Sequence, residues 1–186
     1  MYKIIKLFTL LYNMHYNKII TKYNHIHCYG LLTPSLGKTL IKAIKAKEKE
    51  CMRYATQKTI NNMPIVLSIQ SEYGEKETVY NILDVMDDVK CPIYTVNHKH
   101  IGGYSSFVYL HGDKRFFRNY AKLYINNVNM NNSNLILPHL PDEMSIDFVE
   151  QYSEIPRSVL NQLYQTYHYL DYKSSLHYWC VDDIIH

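Results

Sequence analysis

The sequence predicts an α/β fold with a largely parallel sheet. Short apolar runs rich in β-branched residues alternate with stretches whose apolar residues recur at helical spacing. The resulting order of strand, helix, strand, helix, strand is typical of βαβ units. With 186 residues, 47% of them hydrophobic, the chain suits one domain with one core. This order of elements occurs in many folds and does not by itself assign a function.

Each element follows from a local pattern. Thr33-Pro34-Ser35 is a helix-start signal after a short apolar stretch, and Gly102-Gly103 predicts a tight turn into another helix. Pro156 predicts a break in the last long helical pattern. In chain order, the predicted elements are an apolar stretch at 25–32, a helix at 36–50, a strand at 64–69, a helix at 75–89, a strand at 92–96, a helix at 104–111, a strand at 121–125, helical pattern over 145–169 and a final helical segment at 174–180.

The charge balance argues against a nucleic-acid partner. The formal net charge is only +3, from 20 basic and 17 acidic residues, so no field over the whole protein attracts nucleic acid. The strongest basic cluster is the set of lysines between Lys38 and Lys49. Most of these lysines recur opposite apolar residues of the same predicted helix. We interpret them as the solvated face of an amphipathic helix, with an RNA-binding patch as the alternative.

The cysteines and histidines do not predict a metal centre. The cysteines at positions 28, 51, 91 and 180 form no CxxC pair, so neither a zinc site nor a disulfide framework is indicated, and a reducing compartment is the default. His25 and His27 lie two residues apart, as do His98 and His100. On a strand, each pair would share one face and could hold a metal, but no third ligand is indicated. We therefore predict no metal.

We assign residues 1–24 to an N-terminal segment and residues 25–186 to a single domain. Residues 1–16 are apolar but interrupted by polar side chains, too short and too polar to span a bilayer. No small-residue cleavage site follows them, so a secretory signal is not predicted. A docking, axial or amphipathic targeting role is what we expect of this segment.

Five motifs between residues 69 and 127, in the middle of the chain, carry a family resemblance. In order they are Ile69-Gln70-Ser71-Glu72-Tyr73-Gly74, Cys91-Pro92-Ile93-Tyr94-Thr95-Val96, His100-Ile101-Gly102-Gly103-Tyr104-Ser105-Ser106-Phe107, Gly112-Asp113-Lys114-Arg115-Phe116 and Leu123-Tyr124-Ile125-Asn126-Asn127. They resemble, without gaps, the glycine loop, the strand before the nucleophile, the nucleophile turn, the Lys-Arg-Phe turn and the histidine-bearing strand of the Clp protease proteolytic subunit.

The resemblance implies a fold more specific than the pattern does. It implies the spiral of ββα units shared by the ClpP and crotonase families, with a projecting handle helix around residues 145–170. A crotonase-like acyl-CoA enzyme is therefore an alternative. The turn at 112–116 and the short chain argue against it.

The resemblance also implies that the catalytic triad is degenerate. In this register the nucleophile position is Gly103, the general-base position is Asn126 and the carboxylate position is Asp171. Glycine has no side chain to attack with, and an amide does not titrate near neutral pH, so only the orienting carboxylate survives. The chain is similar in this respect to the non-catalytic R-type paralogues of plastids.

The positions of the oxyanion loop are altered as well. The first glycine of the family's loop falls on Tyr73, with Gly74 kept beside it, and the residue after the nucleophile position is Tyr104. A side chain at the first position is expected to change the loop geometry, although the backbone N–H remains.

An active enzyme with a rearranged site is the main alternative function. Ser105 or Ser106 would then serve as nucleophile, and His98 or His100 as base. The competing interpretation is that both serines pack a helix against the sheet and that the histidines are incidental.

The partners follow from the resemblance. It implies a structural role in a heptameric ring of Clp proteolytic subunits, single or stacked in pairs, and a hexameric AAA+ ATPase that docks on the ring. The sequence has no Walker-type loop, so we predict no nucleotide and no other cofactor bound to this chain.

The expected location rests on the family and on composition. Tyrosine is unusually frequent, with 19 residues against 6 glycines, which fits an A/T-rich genome such as that of a reduced organelle or an A/T-rich parasite. We expect a plastid stroma, with plastid encoding as an option because no long transit peptide is visible. A mitochondrion or a bacterial cytoplasm is the alternative.

Overall fold

The computed structural model describes residues 17–58, 63–125, 143–165 and 168–185. Its strands are β1 (Lys18–Lys22), β2 (His25–Tyr29), β3 (Ile65–Ser71), β4 (Ile93–Ile101), β5 (Lys114–Arg118), β6 (Lys122–Leu123) and β7 (Asp183–Ile185). Its helices are α1 (Pro34–Lys58), α2 (Lys76–Asp88), α3 (Ser105–Leu110), α4 (Glu143–Tyr152), α5 (Arg157–Gln165) and α6 (Tyr172–His177). No helix in these ranges is long and apolar enough to cross a membrane.

One seven-stranded sheet organises these elements, in the order β1-β2-β3-β4-β5-β7, with β6 pairing on β4. β1 pairs antiparallel with β2, and the other strand pairs are parallel. The predicted α/β fold with a largely parallel sheet is therefore confirmed. The sheet reaches back to Lys18, into the range that we assigned to an N-terminal segment. Residues 1–16 lie outside the described ranges.

The sheet buries alternate residues because successive side chains of a strand point to opposite faces. In β2, Ile26 and Cys28 are fully buried while the histidines on either side of Ile26 are only half-buried. The helices add fully buried apolar residues to the same core, among them Leu40 and Ile44 of α1. The core thus forms where the apolar stripe of each helix meets the sheet.

Several elements differ from the sequence prediction in extent. The helix predicted at 36–50 runs on to Lys58, and β4 continues past Val96 to Ile101. Strand β5 was not predicted, because its sequence Lys-Arg-Phe-Phe-Arg is mostly charged and only Phe117 is fully buried. A strand of this composition lacks the apolar run or clean alternation by which strands are recognised.

Arg115 fastens the end of the chain to the sheet. Its backbone N–H donates to Asp182 Oδ2 at 2.7 Å and its Nε donates to the same oxygen at 3.2 Å. Its Nη1 also donates to the carbonyl oxygen of Tyr152 at the end of α4. The Arg115 side chain is only 15% exposed, so its charge is largely buried, and the hydrogen bonds to Asp182 and Tyr152 compensate for that burial. The Lys-Arg-Phe turn therefore has a structural role.

The long helical pattern is divided in two, as Pro156 predicted. Helix α4 ends at Tyr152, and α5 begins after Pro156, whose carbonyl accepts from the N–H of Leu160 at 2.9 Å. Much of the apolar surface of both helices packs within the chain: Val149 is fully buried, and the Phe148 ring stacks on Phe107 at 4.5 Å. That this segment serves as a handle between two rings stays a prediction.

Truncation of a buried side chain in the central strand should destabilise the protein far more than truncation of an exposed side chain. Leu67 of β3 is fully buried, so Leu67→Ala should lower the free energy of unfolding by about 2–5 kcal/mol, the range for a leucine that leaves a cavity. Leu176 is 46% exposed, and Leu176→Ala is the matched control. Urea titration of both variants measures the difference; equal losses would contradict the packing described above.

Candidate functional site

The turn between β4 and α3 carries the predicted nucleophile position. Gly103 follows the last residues of β4 and lies immediately before the turn that starts α3. It is buried and has a φ of 55°, in the left-handed region that favours glycine. The structure therefore places Gly103 at a sharp strand-to-helix turn, and no side chain projects from it.

Backbone contacts fix this turn against the ends of neighbouring strands. The Gly102 N–H donates to the Ser71 carbonyl at the end of β3 at 2.9 Å, and the Tyr124 N–H donates to the Ile101 carbonyl at 2.8 Å. A Cβ on Gly102 would lie 3.1 Å from the Glu72 carbonyl oxygen. The turn thus lies at the carboxyl ends of parallel strands, where sites of α/β proteins form.

The loop with the predicted oxyanion positions packs directly on the start of α3. The Ser71 hydroxyl donates to the Tyr73 carbonyl at 2.7 Å and lies 2.9 Å from the Ser105 hydroxyl. Because Ser71 uses its proton on Tyr73, Ser105 is the donor in the second bond. A Cβ on Gly74 would meet Val79 Cγ2 at 2.8 Å and Ser105 Oγ at 2.9 Å. This close approach requires glycine at position 74.

The serines considered as displaced nucleophiles have structural roles. Ser105 and Ser106 are both fully buried. Ser105 donates to Ser71, and the Ser106 hydroxyl donates to the Gly103 carbonyl at 2.7 Å. Neither hydroxyl is in contact with solvent or hydrogen-bonded to an imidazole. The interpretation that they pack α3 against the sheet is supported by these contacts.

His98 contacts a serine, but at a different place in the sheet. Its Nε2 lies 3.1 Å from the hydroxyl of Ser68, a buried residue of β3. Strand β4 continues from His98 to Ile101 before the turn at Gly103, so this contact lies away from the predicted nucleophile position. Burial lowers the pKa of His98, and Arg118 and His27 lower it further. A neighbouring positive charge disfavours a protonated imidazole, whereas the carboxylate of a catalytic triad favours it.

His100 is also poorly placed to act as a base. Its ring stacks at 6.3 Å on Tyr124. Burial lowers the pKa of His100 while Glu72 opposes that shift.

Asp171, the predicted carboxylate position, lies beside the strand that leads to position 126. Leu170 and Leu123 exchange two backbone hydrogen bonds, at 2.8 and 3.0 Å, in an antiparallel bridge that places Asp171 beside Lys122 and Tyr169 beside Tyr124. The Asp171 carboxylate caps helix α6 by accepting the Ser174 N–H at 2.9 Å. That bond holds the pKa of Asp171 below its ordinary value of 3.8. Position 126 itself lies outside the described residues.

Two tyrosines, Tyr73 and Tyr104, border the turn at Gly103. Burial raises the pKa of Tyr73, and the neighbouring Glu75 and Tyr104 raise it further. The Tyr104 ring meets Phe107 edge-on at 5.4 Å. The Tyr73 phenol and the Tyr104 ring therefore lie at the turn that resembles, in sequence order, the nucleophile turn of a peptidase.

The paired histidines do not assemble a metal centre. His25 and His27 share one face of β2, as expected, with ring centroids 6.0 Å apart, and His27 lies 6.1 Å from His98. Across the ranges that the structure describes, no group of three or more His, Cys, Asp or Glu side chains is arranged to hold a metal ion.

Two contacts near the candidate site were missed in the sequence. The cap formed by Asp171 had a signal, since Asp is one of the preferred residues immediately before a helical segment. The Ser71–Ser105 contact had none, because it joins residues 34 positions apart. The structure brings the loop that carries Tyr73 and Gly74 next to the turn that carries Gly103.

Removal of the cap should destabilise the chain in a pH-dependent way. Asp171→Ala should lower the free energy of unfolding by about 0.5–2 kcal/mol at neutral pH, the range for an N-cap residue. Because the pKa of Asp171 is lowered by folding, its contribution is present above about pH 4 and is lost as the pH falls through the lowered value.

Urea titrations of wild type and variant between neutral and acidic pH would measure this. The difference between them should shrink on acidification, and the exposed Asp84→Ala should change stability by no more than about 0.5 kcal/mol. A difference that grows at acidic pH would contradict the assignment.

The comparisons with known proteins agree on the architecture. The ClpP protease catalytic domain from Plasmodium falciparum superposes with a TM-score of 0.65 at 14% identity, over 86% of this chain and 83% of that chain. ClpP1 from Listeria monocytogenes superposes with a TM-score of 0.67 at 16% identity, over 88% of this chain and 91% of that chain. No protein-family model and no curated protein matches the sequence. This chain therefore has the ClpP fold.

Proposed function

We propose that this chain is a non-catalytic structural subunit of an ATP-dependent Clp protease ring. The observation that carries the proposal is the turn at Gly103, which has the shape of a nucleophile turn but presents no attacking atom. The similarity of the fold to two ClpP domains supports membership of that family.

The residues around Gly103 and at the other predicted triad positions also support a non-catalytic function. Ser105 and Ser106 are the serines nearest to Gly103 in sequence, and both are buried donors in the packing of α3. The sequence has Asn126 where a base would be needed, and an amide cannot accept the proton of a serine. Asp171 is employed as a helix cap.

The proposed partners are other Clp proteolytic subunits and an AAA+ Clp ATPase. A chain that keeps the fold can fill a position in a ring whose active sites are supplied by paralogues. We propose a heptameric ring, with or without a second ring stacked on it, in a plastid stroma. A mitochondrion or a bacterial cytoplasm is the alternative location.

The contact between Ser68 and His98 favours one competing function. A hydroxyl 3.1 Å from an imidazole is within the reach that a nucleophile and its base require. Ser68 is only 4% exposed, so its hydroxyl has little access to a substrate. An active hydrolase that uses this pair is therefore the second candidate, and a labelling experiment separates it from the first.

Purified chain should not react with a serine-directed fluorophosphonate probe. The expected result is labelling no higher than that of heat-denatured protein, because no activated hydroxyl is present in the proposed site. An active serine peptidase is the positive control. Stoichiometric labelling would refute the proposal, and its loss in Ser68→Ala or in Ser105→Ala would identify the serine responsible.

The ring assignment predicts an assembly with paralogues. Affinity purification of the tagged chain from its native source should recover active Clp proteolytic subunits, and native mass measurement should give a complex of seven or fourteen subunits. Recovery of the chain only as a monomer, from extracts in which the paralogues remain assembled, would contradict this.

A further inference from the structure

Two cysteines distant in sequence meet at one end of the sheet. Cys51 lies in the C-terminal half of α1, and Cys91 lies in the turn between α2 and β4. Their side chains are 2% and 4% exposed. Both are free thiols. Nothing in the proposed function uses either of them.

A hydrogen bond joins the two segments that carry these cysteines, since the Lys90 N–H donates to Glu48 Oε1 at 3.0 Å. Glu48 and Cys51 lie three residues apart on one face of α1, and Cys91 directly follows Lys90, so this bond brings the two buried thiols close together. Each thiol also changes the pKa of the other: Cys91 lowers that of Cys51, and Cys51 raises that of Cys91.

We propose that Cys51 and Cys91 form a reversible disulfide when the protein meets a disulfide oxidant such as glutathione disulfide. The thiolate of one cysteine attacks the oxidant, which releases one glutathione and leaves a mixed disulfide on the chain. The thiolate of the other cysteine then attacks the protein sulfur of that mixed disulfide and releases the second glutathione. The two cysteines lose two electrons and two protons, and the oxidant is reduced to two thiols.

The surroundings of the pair set its rate of reaction. Burial raises the pKa of Cys91 to about 11, with a further contribution from Cys51 and Glu48. Burial and Glu50 likewise raise the pKa of Cys51. Because the thiolate is the reacting species, oxidation should be slow at neutral pH and accelerate as the pH rises. Such a pair stays reduced in an ordinary reducing compartment and responds to sustained oxidation.

The bond would close a loop of about 40 residues that contains β3 and α2, so it should stabilise the fold by restricting the unfolded chain. It would also join the end of α1 to the start of β4, the strand that leads to Gly103. Cys28 and Cys180 are natural internal controls. Both are buried, and burial raises the pKa of each to about 12, but no contact joins either of them to another cysteine.

The test is to incubate the full-length folded protein with glutathione disulfide at a series of pH values. Peptide mapping without reductant should then show a single linked pair, Cys51 with Cys91, and intact mass should show the loss of two hydrogen atoms. The oxidised protein should unfold at a higher temperature than the reduced protein, and a dithiol reductant should reverse both changes. Cys28→Ser/Cys180→Ser should behave as the wild type does.

Other outcomes overturn the proposal. It is wrong if Cys51 and Cys91 stay as thiols, or keep only glutathione adducts, under conditions that oxidise the urea-unfolded chain. It is also wrong if the folded protein links its four cysteines in several pairings. Cys91→Ser should abolish the link, so a persistent mass loss in that variant would contradict the assignment.

Discussion

The close packing of the Ser71–Gly74 loop on the first turn of α3 is the constraint on which the candidate site depends. Ser105 donates to Ser71, Ser71 donates to Tyr73, and Gly74 leaves no room for a side chain. The Ser71–Ser105 bond is buried, so breaking it would leave a polar group without a partner, at a cost of about 1–3 kcal/mol. The loop, the turn and the helix are therefore positioned as a unit.

The polar residues around this unit serve the backbone. Ser106 satisfies the Gly103 carbonyl and Asp171 satisfies a helix N-terminus. Side chains that are occupied in this way have little freedom to take part in proton transfer. These contacts hold the turn at Gly103 in its conformation, and none of them depends on peptidase chemistry.

Sequence analysis found the elements whose signal is local. The apolar run at 64–69 predicted β3, and the apolar stripe over 75–89 predicted α2. Both predictions were possible because burial on one or both faces requires a recognisable spacing of apolar residues. The turn at Gly102-Gly103 was also predicted, since glycine is required there.

Elements stabilised by distant partners were missed. β5 is mostly charged and β7 has only three residues, yet the two strands pair with each other. Arg115 of β5 also donates to Asp182, which lies 67 residues later in the chain. The contacts of Ser71 and His98 likewise depend on strands being adjacent in space. A single sequence carries no record of such pairs, so the roles of these side chains had to come from the structure.

The positive φ of Gly103 has an evolutionary consequence. A serine at this turn would hold a side chain in a backbone conformation that costs on the order of 1–3 kcal/mol, a strain that active sites carry because function requires it. Glycine adopts the same conformation without that penalty. Under the non-catalytic function that we propose, a change from serine to glycine at this turn would stabilise the fold, and reversal would require both a less stable intermediate and a restored base. Loss of activity by such a route would be difficult to reverse, which favours a lasting architectural role for a subunit of the proposed kind.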